Sequence, residues 1–276
     1  MIHKIKAIGV MLQDLWRNRQ LIIRLSINDF KTRYAGSVMG IFWAFVQPVI
    51  TVLVYWFVFE KGLRAGSQAM GAVQVPFVLF LISGLVPWFF FSDAWPNGTS
   101  SLISYSYLVK KVVFKISILP IVKVMASIYV HIFFVAVTIA IFWAYGYAPD
   151  LYSLQIIYYS FAVFVLALGL SYITSSIVVF FRDLSEIISI LLQILVWVTP
   201  IMWNIETSLT EGVLKTVLKL NPMYYIVCGY RDALINKNWF WQTPKLTLYF
   251  WIVTLLILGA GMLVFKRLKN HFADVL

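Results

Sequence analysis

The chain has 276 residues, of which 62% are hydrophobic, 17% aromatic and 12% charged. A soluble domain is about half apolar and about a quarter charged, so a water-facing fold of this size has no room to hide such a surface, and the bilayer is its natural solvent. The formal net charge of +11 then reads as basic loops on the cytoplasmic side and attraction to anionic lipid, not as a nucleic-acid surface.

Residues 1–37 are polar and basic and show no pattern of a cleavable leader. Within them Ile23, Ile27, Phe30 and Tyr34 recur at helical spacing, while Arg24, Asn28 and Lys31 line another side. This pattern predicts an amphipathic helix lying in the membrane interface. Residues 38–276 form one transmembrane domain. An apolar run of about 18 residues crosses about 30 Å of hydrocarbon, and six runs qualify: 38–59, 72–92, 116–147, 154–181, 187–205 and 246–265. The fourth and fifth nearly touch, which predicts a tight helical hairpin.

Two connections are unusual. Residues 93–115 are too long for a tight turn. Leu102, Tyr105, Tyr107, Leu108 and Val109 predict a short helix there, ending in Lys110 and Lys111 at its negative dipole end. Residues 206–245 are too apolar for a solvated loop and too interrupted for a span. They read as half-helices over 213–220 and 223–234, broken at Asn221-Pro222, forming a re-entrant pair near the outer mouth. The expected fold is therefore all-α: six transmembrane helices, an N-terminal interfacial helix and a re-entrant helix pair between helices five and six. Lys and Arg divide about 15 to 7 between the two sides of that arrangement, which places both termini in the cytoplasm.

The chain contains no phosphate-binding Gly-rich loop followed by Lys-Ser/Thr, no His-Glu-x-x-His, no cysteine pair and no Gly-x-Ser-x-Gly. Its lone cysteine, Cys228, has no partner for a disulfide, and His3, His131 and His271 are scattered. No catalytic constellation is expected, nor a metal or cofactor held by this chain. In the third span Lys123, Ser127, His131 and Thr138 fall on one quarter of the helical wheel, a stripe that should face the bundle or a water-filled path. Ala167, Ser171 and Ser175 form a small-residue row suited to close helix packing. The acceptor pattern Asn97-Gly98-Thr99 falls in a cytoplasmic connection, so it reads as chance.

Several strings occur in a recognisable order. They are Asn28-Asp29-Phe30-Lys31-Thr32-Arg33-Tyr34-Ala35-Gly36-Ser37, then Gly40, Trp43 and Pro48, then Leu108-Val109-Lys110-Lys111-Val112-Val113-Phe114 with Leu119-Pro120. Phe181-Arg182-Asp183-Leu184, Trp197-Val198-Thr199-Pro200-Ile201, Asn221-Pro222 and Tyr230-Arg231-Asp232 follow. The ordered set resembles the ABC-2-type permeases that export lipid-linked polysaccharides and teichoic acids, and it resembles the wall teichoic acid permeases most. Lys115 departs from the pattern, where the family often has proline.

The resemblance implies a bacterial cytoplasmic-membrane permease that pairs with a second copy of itself and with two copies of a separate ATPase, which would hold the ATP and Mg. It implies an undecaprenyl-diphosphate-linked glycopolymer as cargo. Tyr105, Tyr107, Leu108, Lys110 and Lys111 would couple to the ATPase, with Arg182, Asp183 and Glu186 as a second contact. Arg24, Lys31 and Arg33 are placed to meet the diphosphate. Trp43, Trp88, Phe89, Lys123 and His131 are candidates to line the pore, and Asn221, Pro222, Tyr230 and Arg231 to form an outer gate. An O-antigen or capsule exporter is the alternative within this class. A channel would show a filter or dense buried charge, and a membrane glycosyltransferase an acidic pair at the membrane face, for which Asp183 with Glu186 is the nearest match.

Overall fold

The structure is a computed structural model, which describes residue 9 and residues 13–35, 39–70, 73–110, 115–208, 210 and 212–276. Its helices of more than one turn are α1 (Arg19–Arg33), α2 (Trp43–Trp56), α3 (Phe77–Thr99), α4 (Leu119–Ala144), α5 (Gln155–Val178), α6 (Leu184–Val198), α7 (Val213–Lys219), α8 (Pro222–Arg231) and α9 (Pro244–Leu268). Single turns lie at Ser101–Ser104, Ser106–Val109, Ile205–Ser208 and Phe272–Val275.

Helices α3 and α5 form the centre of the bundle. Helix α3 packs on α4, α5, α8 and α2, and α5 packs on α9 as well. Most of α3 is buried, from Phe77 and Leu79 to Gly98 and Thr99. The expected small-residue row on α5 is a packing face: Ala167, Ser171 and Ser175 are all buried, and a side chain added at Gly98 of α3 would collide with Ser171. Helix α2 is the opposite case. Only Ala44 is buried, while Val49, Ile50, Leu53 and Val54 are exposed.

Among the described residues, five helical stretches are long and apolar enough to cross a membrane: Gly40–Gly62, Phe77–Thr99, Ile116–Ala144, Leu151–Val178 and Pro244–Val275. The expected fifth span falls short. Helix α6 stops at Val198, because Pro200 pushes Thr199 into an extended conformation (ψ 128°). Its 15 residues reach only about 22 Å at 1.5 Å per residue. The second span is displaced as well. It begins at Phe77 and runs past Asp93 to Thr99. Residues 73–75, expected at its start, instead form strand β2 (Val73–Val75), which pairs antiparallel with β1 (Gln68–Met70). Strands of three residues are too short to show an alternating pattern. The ribbon is fastened from outside, where Asn204 Nδ2 donates to the Ala69 carbonyl at 2.8 Å.

One end of the bundle collects both terminal regions and two connections. Tyr105 bonds to Asp29 of α1, the Phe272–Val275 turn packs on Ser106–Val109, and Phe180 meets the Phe272 ring at 6.1 Å. Lys115 pairs with Asp14 at this end. The opposite end carries the ribbon, α7, α8 and the Lys237–Asp150 ion pair at 2.6 Å. Helices α7 and α8 stand where the sequence placed half-helices, and the break is a capping site. Asn221 Oδ1 accepts from Met223 N at 3.0 Å, and Pro222 occupies the first helical position, where no amide is needed.

Candidate functional site: a lateral cavity between two polar knots

A cavity of about 300 Å³ lies between α2, α3 and α4. Trp43, Phe89, Phe90 and Phe134 give it aromatic walls, and Tyr34, Gln47, Thr51, Asp93, Ser127 and His131 give it polar ones. Three residues expected to line a pore, Trp43, Phe89 and His131, therefore meet here. Trp88 does not: it is buried in the core beside Phe91, ring to ring at 5.8 Å. The stripe Lys123, Ser127, His131 and Thr138 faces the bundle interior, with all four largely buried.

A first knot closes the end of this cavity nearest α1. Asp29 accepts from Lys123 Nζ at 2.7 Å and from the Tyr105 hydroxyl at 2.7 Å. Arg33 bridges Asp29 at 3.4 Å and Asp93 at 3.0 Å. Asp93 also accepts from Asn97 Nδ2 at 2.8 Å and from the Ser127 hydroxyl. Two carboxylates thus face two cations with their hydrogen-bonding capacity filled, the condition under which charge is tolerated in an apolar surround. Burial works against the Arg33 charge, but Asp93 and then Asp29 outweigh it, and its pKa rises. Burial raises the Tyr105 phenol, and the bond to Asp29 raises it further, so Tyr105 is a neutral donor. The knot also explains why α3 does not end at Asp93: the charge is compensated where it stands, and Asn97, one turn on, donates to it.

In this arrangement Arg33, expected to meet a diphosphate, is paired with Asp93 and Asp29, and Lys123, expected to line a pore, is paired with Asp29. Arg24 and Lys31 are exposed on α1. Helix α1 turns Ile22, Ser26 and Asp29 toward α4 and leaves Leu21, Ile23 and Ile27 exposed. Polar Arg24, Asn28 and Lys31 are outward beside these apolar residues, so the exposed surface of the helix is mixed and the expected separation into an apolar and a polar side is weak.

The connection after α3 is also divided. Leu102 and Val109 are buried. Tyr105 points to Asp29, and Leu108 packs on the core. Outward stand Tyr107, 59% exposed, with Ser104 and Lys110. Tyr105 and Leu108 therefore hold the segment in place, and Tyr107 and Lys110 present it. Lys111 lies outside the described residues. Arg182, Asp183 and Glu186 are exposed at the start of α6.

The second knot lies at the other end. Arg231 is only 3% exposed. Its Nη1 and Nη2 donate to the Pro200 and Ile201 carbonyls, each at 2.7 Å. Its guanidinium lies 3.6 Å from the centre of the Phe80 ring, and Gly84 keeps α3 clear of it. Asn221 Nδ2 donates to Thr199 Oγ1 at 2.8 Å. The two ends of α8 thus grip the chain where α6 terminates. Arg231, expected at an outer gate, is buried here and clamps the end of α6. Tyr230 makes the link inward: its hydroxyl lies 2.6 Å from Ser160 Oγ and 3.0 Å from His131 Nε2. Asp29, Asp93, Ser160 and Phe80 carry these knots, yet the sequence reading gave none of them a role. A lone carboxylate at the edge of an apolar run, with Asn four residues on, was the available signal for Asp93.

Residues 20–235 match the family model described as ABC-2 type transporter. The chain belongs to that family. It is a multi-pass membrane protein. Among curated proteins it is similar to an O-antigen export system permease protein RfbA of Klebsiella pneumoniae, 28% identical over 93% of this chain and 95% of that one. The RfbA permease of Myxococcus xanthus is 28% identical over 96% of this chain and 98% of its own. The matched region of the ABC-2 chain contains both knots and the cavity between them.

Proposed function

We propose that this ABC-2 permease is the membrane subunit of an ATP-driven exporter that carries a polyprenyl-diphosphate-linked glycan across the cytoplasmic membrane. The observation that carries the reading is the cavity beside α2. It is lined by aromatic rings and hydrogen-bonding side chains, and its outer wall is a helix that buries a single residue. A helix with so few buried contacts yields readily, and aromatic and polar walls give a glycan many weak contacts without trapping it. The polyprenyl tail stays in lipid while the diphosphate and glycan pass through protein.

An O-antigen-type glycan is the better-supported cargo. The relatives named above are O-antigen export permeases, and wall teichoic acid, which the local strings suggested, finds no support among them. Arg24 and Lys31 meet the diphosphate at the cytoplasmic leaflet. Tyr107, Lys110, Arg182, Asp183 and Glu186 face the ATPase, which binds the ATP and Mg. The exposed apolar faces of α2 and α6 suit lipid and a second copy of the chain. In this reading α6, continued by residues 199–205, completes a sixth crossing, α7 and α8 form the re-entrant pair, and both termini are cytoplasmic.

Copurification tests the reading. A tagged chain should bring down an ABC ATPase from its native membrane. Recovery of the chain without any nucleotide-hydrolysing partner would contradict it.

A further inference from the structure

A separate cavity of about 230 Å³ opens at the end of the bundle away from α1. Its volume is below the roughly 300–1,000 Å³ of pockets for drug-sized ligands, so it suits a single ring. Tyr159, Tyr224 and Tyr225 provide aromatic wall, and Asn204, Asp232 and Asn236 provide polar wall. The charges around it are held in pairs and hydrogen bonds. Arg231 borders the cavity, but both its terminal nitrogens are taken by the Pro200 and Ile201 carbonyls. The Asp232 and Glu206 carboxylates also border it, but Glu206 is paired with Lys215 at 2.6 Å and Lys219 at 3.1 Å and Asp232 accepts from Asn236 at 2.8 Å, so these charges are compensated and favour a neutral guest. A purely apolar guest would strip water from amides and carboxylates and return no hydrogen bonds. A neutral polyhydroxylated ring satisfies both walls, its C–H face on the negative faces of the tyrosines and its hydroxyls on the amide and carboxylate oxygens.

We propose that this outer cavity holds one neutral sugar ring of the glycan as it leaves the protein. The inference rests on the export reading above. It also ties the two cavities together through one short helix. Tyr224 and Tyr225 of α8 line the outer cavity, and Tyr230 of the same helix is bonded to His131, which lines the inner one. A sugar seated outside therefore bears on the helix that touches the path behind it.

The test is saturation-transfer NMR on the protein, purified with its bound partners in nanodiscs. The probes are the methyl glycosides of galactose, mannose, rhamnose and N-acetylglucosamine. At least one glycoside should receive saturation on its ring C–H protons. Tyr224→Ala, and separately the near-isosteric Asp232→Asn, should weaken its binding about tenfold, the equivalent of one hydrogen bond to a charged group. Trp241→Ala, at an exposed ring outside the cavity, should leave the transfer unchanged. No transfer from any glycoside to the wild-type protein, or equal transfer to wild type and Asp232→Asn, would overturn the proposal. Deletion of the chain separates the two readings. Loss of surface polysaccharide together with a silent NMR experiment removes the sugar site and leaves the export reading standing. Unchanged surface polysaccharide removes the export reading, and with it the assignment of this cavity to a glycan in transit.

Discussion

The Tyr105 hydroxyl donates to Asp29 at 2.7 Å, so the connection after α3 is tied to helix α1, 76 residues earlier. Asp29 is also the partner of Lys123, whose side chain is 14% exposed. Removing one member of such a pair strands the other. Asp29→Ala should lower stability by about 3 kcal/mol, and Tyr105→Phe by about 1–2 kcal/mol. Asp29→Ala combined with Lys123→Ala should cost at least about 1 kcal/mol less than the sum of the two single changes. Thermal unfolding in detergent reads all of these. Strict additivity would mean that the knot carries no coupling.

Arg231 offers a second stability test at the other end of the bundle. Its two terminal nitrogens satisfy two carbonyls that the termination of α6 leaves open, and its plane covers Phe80. Arg231→Ala should cost about 3–5 kcal/mol. Arg231→Lys should rescue little, because an ammonium lacks the planar fork that spans both carbonyls. If the lysine variant melts with the wild type, charge alone suffices there and the fork geometry is irrelevant.

The spans were legible because long uncharged runs have no other home, and the break before α8 was legible because Asn followed by Pro is a capping signature. The remaining features depended on contacts that the sequence does not display. A charge at position 93 reads as the end of a span until Arg33, 60 residues away, is seen to neutralise it. Ile201, Met202 and Trp203 keep the hydropathy of residues 187–205 high, while Pro200 has already ended the helix. Lys123 reads as a free cation because its partner Asp29 lies on another helix, and Arg33 because Asp93 does, although its second partner Asp29 stands one turn earlier on the same helix. The polar stripe on α4 was found, but not what it faces, since Ser160 and Tyr230 reach His131 from α5 and α8.

The connection after α3 separates assembly from folding. Tyr107 is outward, whereas Leu102 is fully buried. Tyr107→Asp should reduce the ATPase recovered with the tagged chain by about tenfold, the effect of losing one good interface anchor, without changing the chain's elution. Leu102→Asp should instead abolish a monodisperse protein. Wild-type ATPase recovery with Tyr107→Asp would place the coupling contact elsewhere.

The exposed cations of α1 are separable from the paired one. Arg24→Ala with Lys31→Ala should reduce stimulation of ATPase by lipid-linked glycan. Each lost charge-assisted phosphate bond accounts for about 1.5–3 kcal/mol. Basal hydrolysis and assembly should persist, because neither residue bears on the Asp29–Arg33–Asp93 knot. Undiminished stimulation in nanodiscs would leave Arg24 and Lys31 as ordinary headgroup anchors.

Transport itself is the most direct measurement of the central claim. The permease, purified with its ATPase, is reconstituted into vesicles whose outer leaflet carries a fluorescent polyprenyl-diphosphate glycan, with the ATPase facing outward. ATP should move the glycan into the lumen, where an added glycosidase no longer reaches it, and the movement should stop when the ATPase is inactivated. Equal glycosidase access with and without ATP would contradict the account.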